Sequence, residues 1–258
     1  MGSPIVLPLM VWLKTSKQDS SQMTGFQVQL LEFLKKFDAF CQEQHLEYCL
    51  FWGTLIGCIR EGGFIPWDDD VDVAMDRDNF EKLKRLAREG KLPPQFEFED
   101  SLFLKGCRIP KVRYKGVAIH DRNGGTGIFI DIFPFDRFTA IDVQILKIAA
   151  TGLHVRDYRR KISNKLVRSV YTPLSIIPYL LFVLVRSVYS HRELKNGKYI
   201  GNSPVTNSEY FFNVSDFYPF SRKQFEDSAF PVPKGFDAIL KEVYGNYLIP
   251  VDYKNKYY

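Results

Sequence analysis

The chain has 258 residues, 45% of them apolar, 25% charged and 15% aromatic, with a formal net charge of +5. This balance excludes a disordered chain, and the length allows one large core or two small ones. The cysteines, Cys41, Cys49, Cys58 and Cys107, lack CxxC spacing and a paired histidine, which argues against disulfides and zinc and fits a reducing, cytoplasmic setting.

The opening run MGSPIVLPLMVWLK has no basic residue before it and no small-residue cleavage site. Segment 1–23 therefore reads as flexible or as a short peripheral anchor, not a signal peptide, and the Gly2 context lacks the residue needed for myristoylation. Thr24 and Gln27 form a capping box, and Leu30, Phe33, Leu34, Phe37 and Cys41 recur at helical spacing, predicting a helix over Phe26–Gln44. Leu46–Trp52 is rich in β-formers and ends at Gly53, as a strand would. A short helix over Thr54–Arg60 follows, stopped by Gly62-Gly63. Asp70–Met75 reads as the next strand, and Asp78 as the cap of a helix with Phe80, Leu83 and Leu86 on one face. Strands are expected over Phe96–Leu104, Lys111–Ile119 and Ile128–Phe133, the last two separated by the loop RNGGTG. The order predicts a mixed α/β sheet flanked by helices, with residues 24–137 as the core.

After Asp136 the chain turns helical and basic, and residues 138–258 are expected to face an acceptor or a membrane, with a C-terminal segment returning to the core. Between Arg156 and Arg168, Arg156, Arg159, Arg160, Lys161, Lys165 and Arg168 face the single Asp157. Such a run implies an anionic partner or a solvated helix face. Tyr171–Tyr189 is strongly apolar, yet Pro173 and Pro178 interrupt it, which argues against a membrane span. LVRSVY occurs twice, at Leu166–Tyr171 and Leu184–Tyr189, an offset of about five turns at 3.6 residues per turn. The prolines argue against one continuous helix, so an apolar helical hairpin lying on a membrane or on the core is expected. Phe236–Tyr244 should be a short helix ended by Gly245, followed by an aromatic segment that packs back on the sheet.

The chemistry concentrates between Phe51 and Met75. Asp68, Asp69, Asp70 and Asp72 stand among Ile65, Trp67, Val71 and Val73. Two unit charges ~5 Å apart repel by roughly 3 kcal/mol at an effective dielectric of about 20. A divalent cation relieves that repulsion. On a strand, Asp70 and Asp72 share one face, and both reach a single hard ion, Mg²⁺ or Mn²⁺; Asp68 is an outer ligand. A calcium loop beginning at Asp68 fails, because Val73 stands where glycine is needed and Asn79 where the last glutamate belongs. Asp131, in the apolar strand GIFIDIFPFD, is costly unless metal-bound or paired, so it is either the third carboxylate of the site or a partner of Lys111 or Arg113. Gly53-Thr54 at a helix start suits a phosphate cradle. Lys111 and Arg113 alternate on one strand and, with Arg60, are phosphate candidates; Trp67 is a candidate for stacking on a base or a cationic headgroup, or else a core anchor. His45, His120, His154 and His191 share no spacing and no GxSxG occurs, which disfavours acyl transfer. The basic run does not interleave aromatics in a known motif, so no nucleic-acid partner is expected.

Taken together, YCLFWGTLIGCIREGGFIPWDDDVDVAM, IPKVRY, GIFIDIFPFD and PVPKGFDAILKEVYGNYLIP resemble the LicD family, to which fukutin-related proteins are also similar. The resemblance implies a nucleotidyltransferase-like fold in which Gly53 and Thr54 match a Gly-Ser element, Asp70 and Asp72 a metal pair, and Asp131 a third acid. Glu61-Gly62 follows Arg60 where the family often has a basic pair, which weakens the phosphate reading of Arg60. It further implies transfer of a phospho-substituent, commonly phosphocholine from CDP-choline, to a sugar hydroxyl of a surface glycan or its lipid-linked precursor, at the inner face of a membrane. A nucleotidyltransferase acting on NTPs and a non-catalytic scaffold of the same fold remain the rival readings.

Overall fold

A computed structural model describes residues 23–100, 109–115, 127–190, 196–202 and 210–249. The mixed α/β sheet is present. Its path is β1 (Cys49–Leu50), β2 (Asp72–Asp76), β5 (Ile128–Phe138), β4 (Lys111–Tyr114) and β3 (Phe96–Glu99), with β6 (Tyr199–Asn202) on β5 and β7 (Phe211–Asn213) on β6. β2 and β5 run parallel and the other pairs are antiparallel. A separate hairpin, β8 (Phe220–Phe225) with β9 (Ser228–Pro233), packs beside the sheet, and its Phe225, Phe230 and Val232 belong to the main core.

The first helix, α1 (Gly25–Glu43), starts on the expected capping box. The Gln27 N–H donates to Thr24 Oγ1 at 3.1 Å, and the Thr24 N–H donates to Gln27 Oε1 at 3.0 Å. Its Leu30, Phe33, Leu34 and Phe37 are buried against the sheet. The strand expected over Leu46–Trp52 is much shorter. Only Cys49 and Leu50 pair with β2, because Trp52 turns to φ +43° and begins α2 (Trp52–Ile56). That helix continues as a π turn over Gly57–Glu61 and stops at Gly62, whose φ of +73° suits glycine. Gly63 lies against the β8–β9 turn: a Cβ there would sit 2.0 Å from Glu226 Oε1.

Two boundaries need correction. The cap of α3 (Arg77–Arg88) is Asp76, which is extended at the end of β2 and accepts from the Asn79 N–H at 2.9 Å; Asp78 lies inside the first turn. β5 runs on past Phe133 to Phe138, because β6 pairs with its second half. The expected extensions to Leu104 and Ile119, loop residues 122–126, segment 1–22 and the end of the chain from residue 250 lie outside the described residues. The return of the tail is through Tyr247, whose hydroxyl donates to Asp237 at 2.9 Å in α6 (Phe236–Tyr244). Its carbonyl accepts from Arg60 at 3.1 Å, and Tyr247 is itself buried in the main core cluster.

After β5 a helical hairpin forms from α4 (Ala140–Lys161) and α5 (Lys165–Ser190), but it is not the one expected: both copies of LVRSVY lie in α5, and the turn falls before them. Despite the prolines α5 is helical from end to end, with a bend of 49° between segments 165–172 and 175–189. The bend falls at Pro173, which has no N–H to continue the ladder. No single helix among the described residues is long and apolar enough to cross a membrane. The hairpin is held at its base, where Val143 and Tyr189 pack with Phe138 and Phe211, and the Tyr189 hydroxyl donates to Asp142 at 2.7 Å.

Candidate functional site

Three carboxylates meet where β2 and β5 lie side by side. The parallel register sets Asp72 directly beside Asp131, on strands spaced ~4.8 Å apart. The antiparallel register of β4 sets Lys111 on the other side of Asp131. Residues in one row point to one face, so Asp72, Asp131 and Lys111 form a line across three strands. Asp70 joins them, and carboxylate oxygens of Asp70, Asp72 and Asp131 all lie within 4.8 Å of one another.

The alternation argument for Asp70 fails, because β2 begins at Asp72 and Asp70 sits in the preceding loop. What positions that loop is a set of anchors. The Gln27 amide, itself buried, donates to the carbonyls of Ile65 at 3.1 Å and Asp68 at 3.0 Å. Thr54 Oγ1 accepts from the Asp72 N–H at 2.9 Å, and the Asp72 carbonyl accepts from the Phe51 N–H at 3.0 Å. The Val71 carbonyl accepts from the Asp131 N–H at 2.8 Å, while Val71 and Val73 are fully buried, as their apolar side chains require. Gly53 serves by lacking a side chain: a Cβ there would stand 3.1 Å from Asp68 Oδ2.

Burial dominates the electrostatics. It pushes the Asp72 carboxyl well above the usual range, aided by Asp70, Asp131 and Asp68. It raises Asp68 to about 7, with Asp70 adding to the effect, and raises Asp70 as well. Asp131 is drawn up to about 6 by burial, against the pull of Lys111, whose ammonium is hydrogen-bonded to it. Asp131 is thus ion-paired with Lys111 and also stands where it could be the third carboxylate of a metal site. Lys111 offsets the charge of Asp70, Asp72 and Asp131, and the oxygen-only donor set of the triad fits a hard divalent cation.

The remaining candidates are distributed as follows. Lys111 lies over the Phe129 ring at 3.8 Å as well as against Asp131. Arg113, one pleat along, is buried and pairs with Glu99 at 2.7 Å. Thr54 is buried behind Asp72 as a positioning group. Arg60 is engaged by Glu61 at 2.6 Å and by the Tyr247 carbonyl, so its guanidinium braces the tail. Trp67 is 60% exposed, which corrects the core-anchor reading. An aromatic cluster gathers around Trp52. Its ring meets Phe133 at 5.9 Å and Tyr210 at 5.7 Å, and its buried indole N–H has no hydrogen-bond partner among the described residues. Phe133 follows Asp131 by two positions on β5 and so shares its face. Phe133 is legible as a neighbour of Asp131 on one strand face; nothing in the sequence marks Trp52, Tyr210 or the second role of Gln27.

A family model described as LicD/FKTN/FKRP, nucleotidyltransferase domain, matches residues 45–184. The chain belongs to the LicD family. The LicD match takes in the whole acidic triad, Lys111 and most of the helical hairpin. Among curated proteins the chain is similar to the lipopolysaccharide cholinephosphotransferase LicD of Haemophilus influenzae, with 29% identity over 247 residues covering 86% of this chain and 89% of that protein.

Proposed function

We propose that this LicD-family chain is a transferase that moves phosphocholine from CDP-choline to a sugar hydroxyl of a cell-surface glycan or its lipid-linked precursor, with CMP as the leaving group. The observation that carries the reading is the convergence of Asp70, Asp72 and Asp131 within 4.8 Å beside one buried ammonium. The similarity to a cholinephosphotransferase supports the choice of group.

Asp70, Asp72 and Asp131 would hold Mg²⁺ or Mn²⁺, with Asp68 hydrogen-bonding Asp70 behind them. When bound, such an ion supplies charge neutralisation for the donor's diphosphate and for the departing nucleoside monophosphate. The acceptor oxygen attacks the phosphocholine phosphorus, and the bond from that phosphorus to the CMP oxygen breaks. We assign to Asp131, whose carboxylate lies beside those of Asp70 and Asp72, the task of taking the acceptor hydroxyl's proton. Lys111 keeps Asp131 ionised and offers positive charge to the reacting phosphate.

Trp52, Phe133 and Tyr210 supply an aromatic wall beside the carboxylates. A trimethylammonium group suits such faces, where a hydroxyl-rich ribitol would leave its polar groups unsatisfied.

The test is to incubate the protein with CDP-choline, Mg²⁺ and an acceptor glycan. Release of CMP with choline recovered on the glycan is the expected result. Silence with CDP-choline, CDP-ethanolamine and CDP-ribitol, or pyrophosphate release from an NTP instead, would overturn it. Trp52→Leu should raise KM for CDP-choline more than for CDP-ethanolamine, and an equal change would count against the aromatic wall.

A further inference from the structure

The helical hairpin carries a surface that the site chemistry does not use. On α5, Leu166, Val170, Ile177, Leu181, Leu184 and Val188 are each between 49% and 80% exposed. At about 100° per residue these six positions fall within ~60° of one another around the helix. They form one stripe along 26 helical residues, with two positions from each copy of the repeated LVRSVY, and exposed Ile176, Leu180 and Val183 widen it on one flank and Val167 on the other. The partner helix leaves the stripe open. Its own buried Ala149 and Ala150 are small side chains that allow α5 a close approach elsewhere.

Charge says what covers the stripe. From Tyr158 to Arg192 the sequence has no Asp or Glu, against seven Lys and Arg. Lys161, Lys165 and Arg168, around the turn between the helices, are all exposed. Elsewhere the two signs are nearly balanced, since the whole chain has 35 basic and 30 acidic residues. The hairpin also stands apart from the core: neither apolar cluster holds a described residue between 147 and 184. An apolar stripe of ordinary protein-binding kind needs no such one-signed surround. A bilayer with anionic headgroups needs both features together, because aliphatic side chains enter the acyl boundary while lysine and arginine meet lipid phosphates.

The geometry points to a membrane-docking hairpin: α5 lies in the interfacial plane of an anionic bilayer, apolar stripe inward and basic turn against the headgroups. The 49° bend and the lack of any single helix long enough to span fit a segment that lies on the bilayer and does not cross it. The Thr172 and Ser175 hydroxyls donate to the carbonyls of Arg168 at 2.7 Å and Thr172 at 2.9 Å, occupying backbone groups around the bend.

The experiment is sedimentation of the full chain with vesicles of phosphatidylcholine, with and without phosphatidylglycerol. Binding should be at least about tenfold tighter with the anionic lipid and should weaken at raised salt. The double substitution Lys165→Glu with Arg168→Glu should remove that preference. Ile177→Glu with Leu184→Glu should abolish binding while leaving the melting temperature and far-UV circular dichroism unchanged, since both positions are exposed. Four results would overturn the inference: no binding to either vesicle, undiminished binding by the Ile177→Glu, Leu184→Glu chain, resistance to alkaline carbonate as for a spanning segment, or a solution dimer that those substitutions split while vesicles are ignored.

Discussion

The sheet and the helical hairpin break opposite rules. Around β2 and β5, carboxylates sit among apolar residues where burial and one another's charge drive their pKa values up; on α5, leucine, isoleucine and valine stand in solvent. Each is locally unfavourable, and each is ordered by the rest of the chain. The sheet spends long-range register, a buried glutamine and a buried lysine on holding Asp70, Asp72 and Asp131 together. The hairpin spends little, being pinned at its base and packed mainly on itself. The lesson is that unsatisfied residues held by many contacts mark a site built for one small ligand in one geometry. Unsatisfied residues on a loosely attached element mark a surface for a partner without fixed geometry.

The sharpest way to break this comparison is at the triad. Asp72→Asn should lower transfer by at least about 10²-fold, because it removes a charge from the site that stabilises developing phosphate charge. The same isosteric change should raise the melting temperature of the metal-free protein by relieving repulsion from Asp70 and Asp131. A fall in both activity and melting temperature would make Asp72 a structural residue. Next comes Lys111→Met, which leaves Asp131 buried without its partner and should cost about 3–5 kcal/mol in urea unfolding. Part of that loss should return on adding Mg²⁺. Gln27→Ala removes both donors to the acidic loop and half of the α1 capping box, a loss of about 1–3 kcal/mol by the same measurement.

A pH series sharpens the same point. Carboxyls whose folded pKa exceeds their unfolded value bind protons more tightly when folded. They therefore favour folding below the ordinary carboxylate range, and that contribution disappears as pH rises through about 6 for Asp131 and about 7 for Asp68. Mg²⁺ takes the place of those protons, so its upward shift of the melting temperature should be larger at pH 8 than at pH 5.5. The smallest effect belongs to the hairpin: Leu184→Glu should change unfolding free energy by less than about 0.5 kcal/mol, as at an exposed site. A larger loss would mean that the stripe is covered within the folded chain.

Much of the site was readable before any coordinates, and for a physical reason. Charges inside apolar runs are rare, so Asp70, Asp72 and Asp131 drew notice wherever their elements began and ended. The capping box at Thr24 and the stop at Gly62 were legible because local backbone chemistry fixes them. The alternation assumed for Asp70 was not, since strand ends depend on which partner strand is present. The strands β6 to β9 went unread because two are only three or four residues long, and β8, with exposed Ser221, Arg222, Lys223 and Gln224, has no alternating apolar face. The contact of Arg60 with the Tyr247 carbonyl is not legible in the sequence, because the two lie far apart along the chain.

The most direct measurement is a calorimetric titration of Mn²⁺ or Mg²⁺ into the protein with CDP-choline present, repeated on Asp72→Asn and Asp131→Asn. Saturable uptake by the parent chain that either substitution weakens by at least about tenfold is the predicted outcome. Uptake that is absent in the parent, or unchanged in both variants, would contradict a triad that holds an ion against a diphosphate.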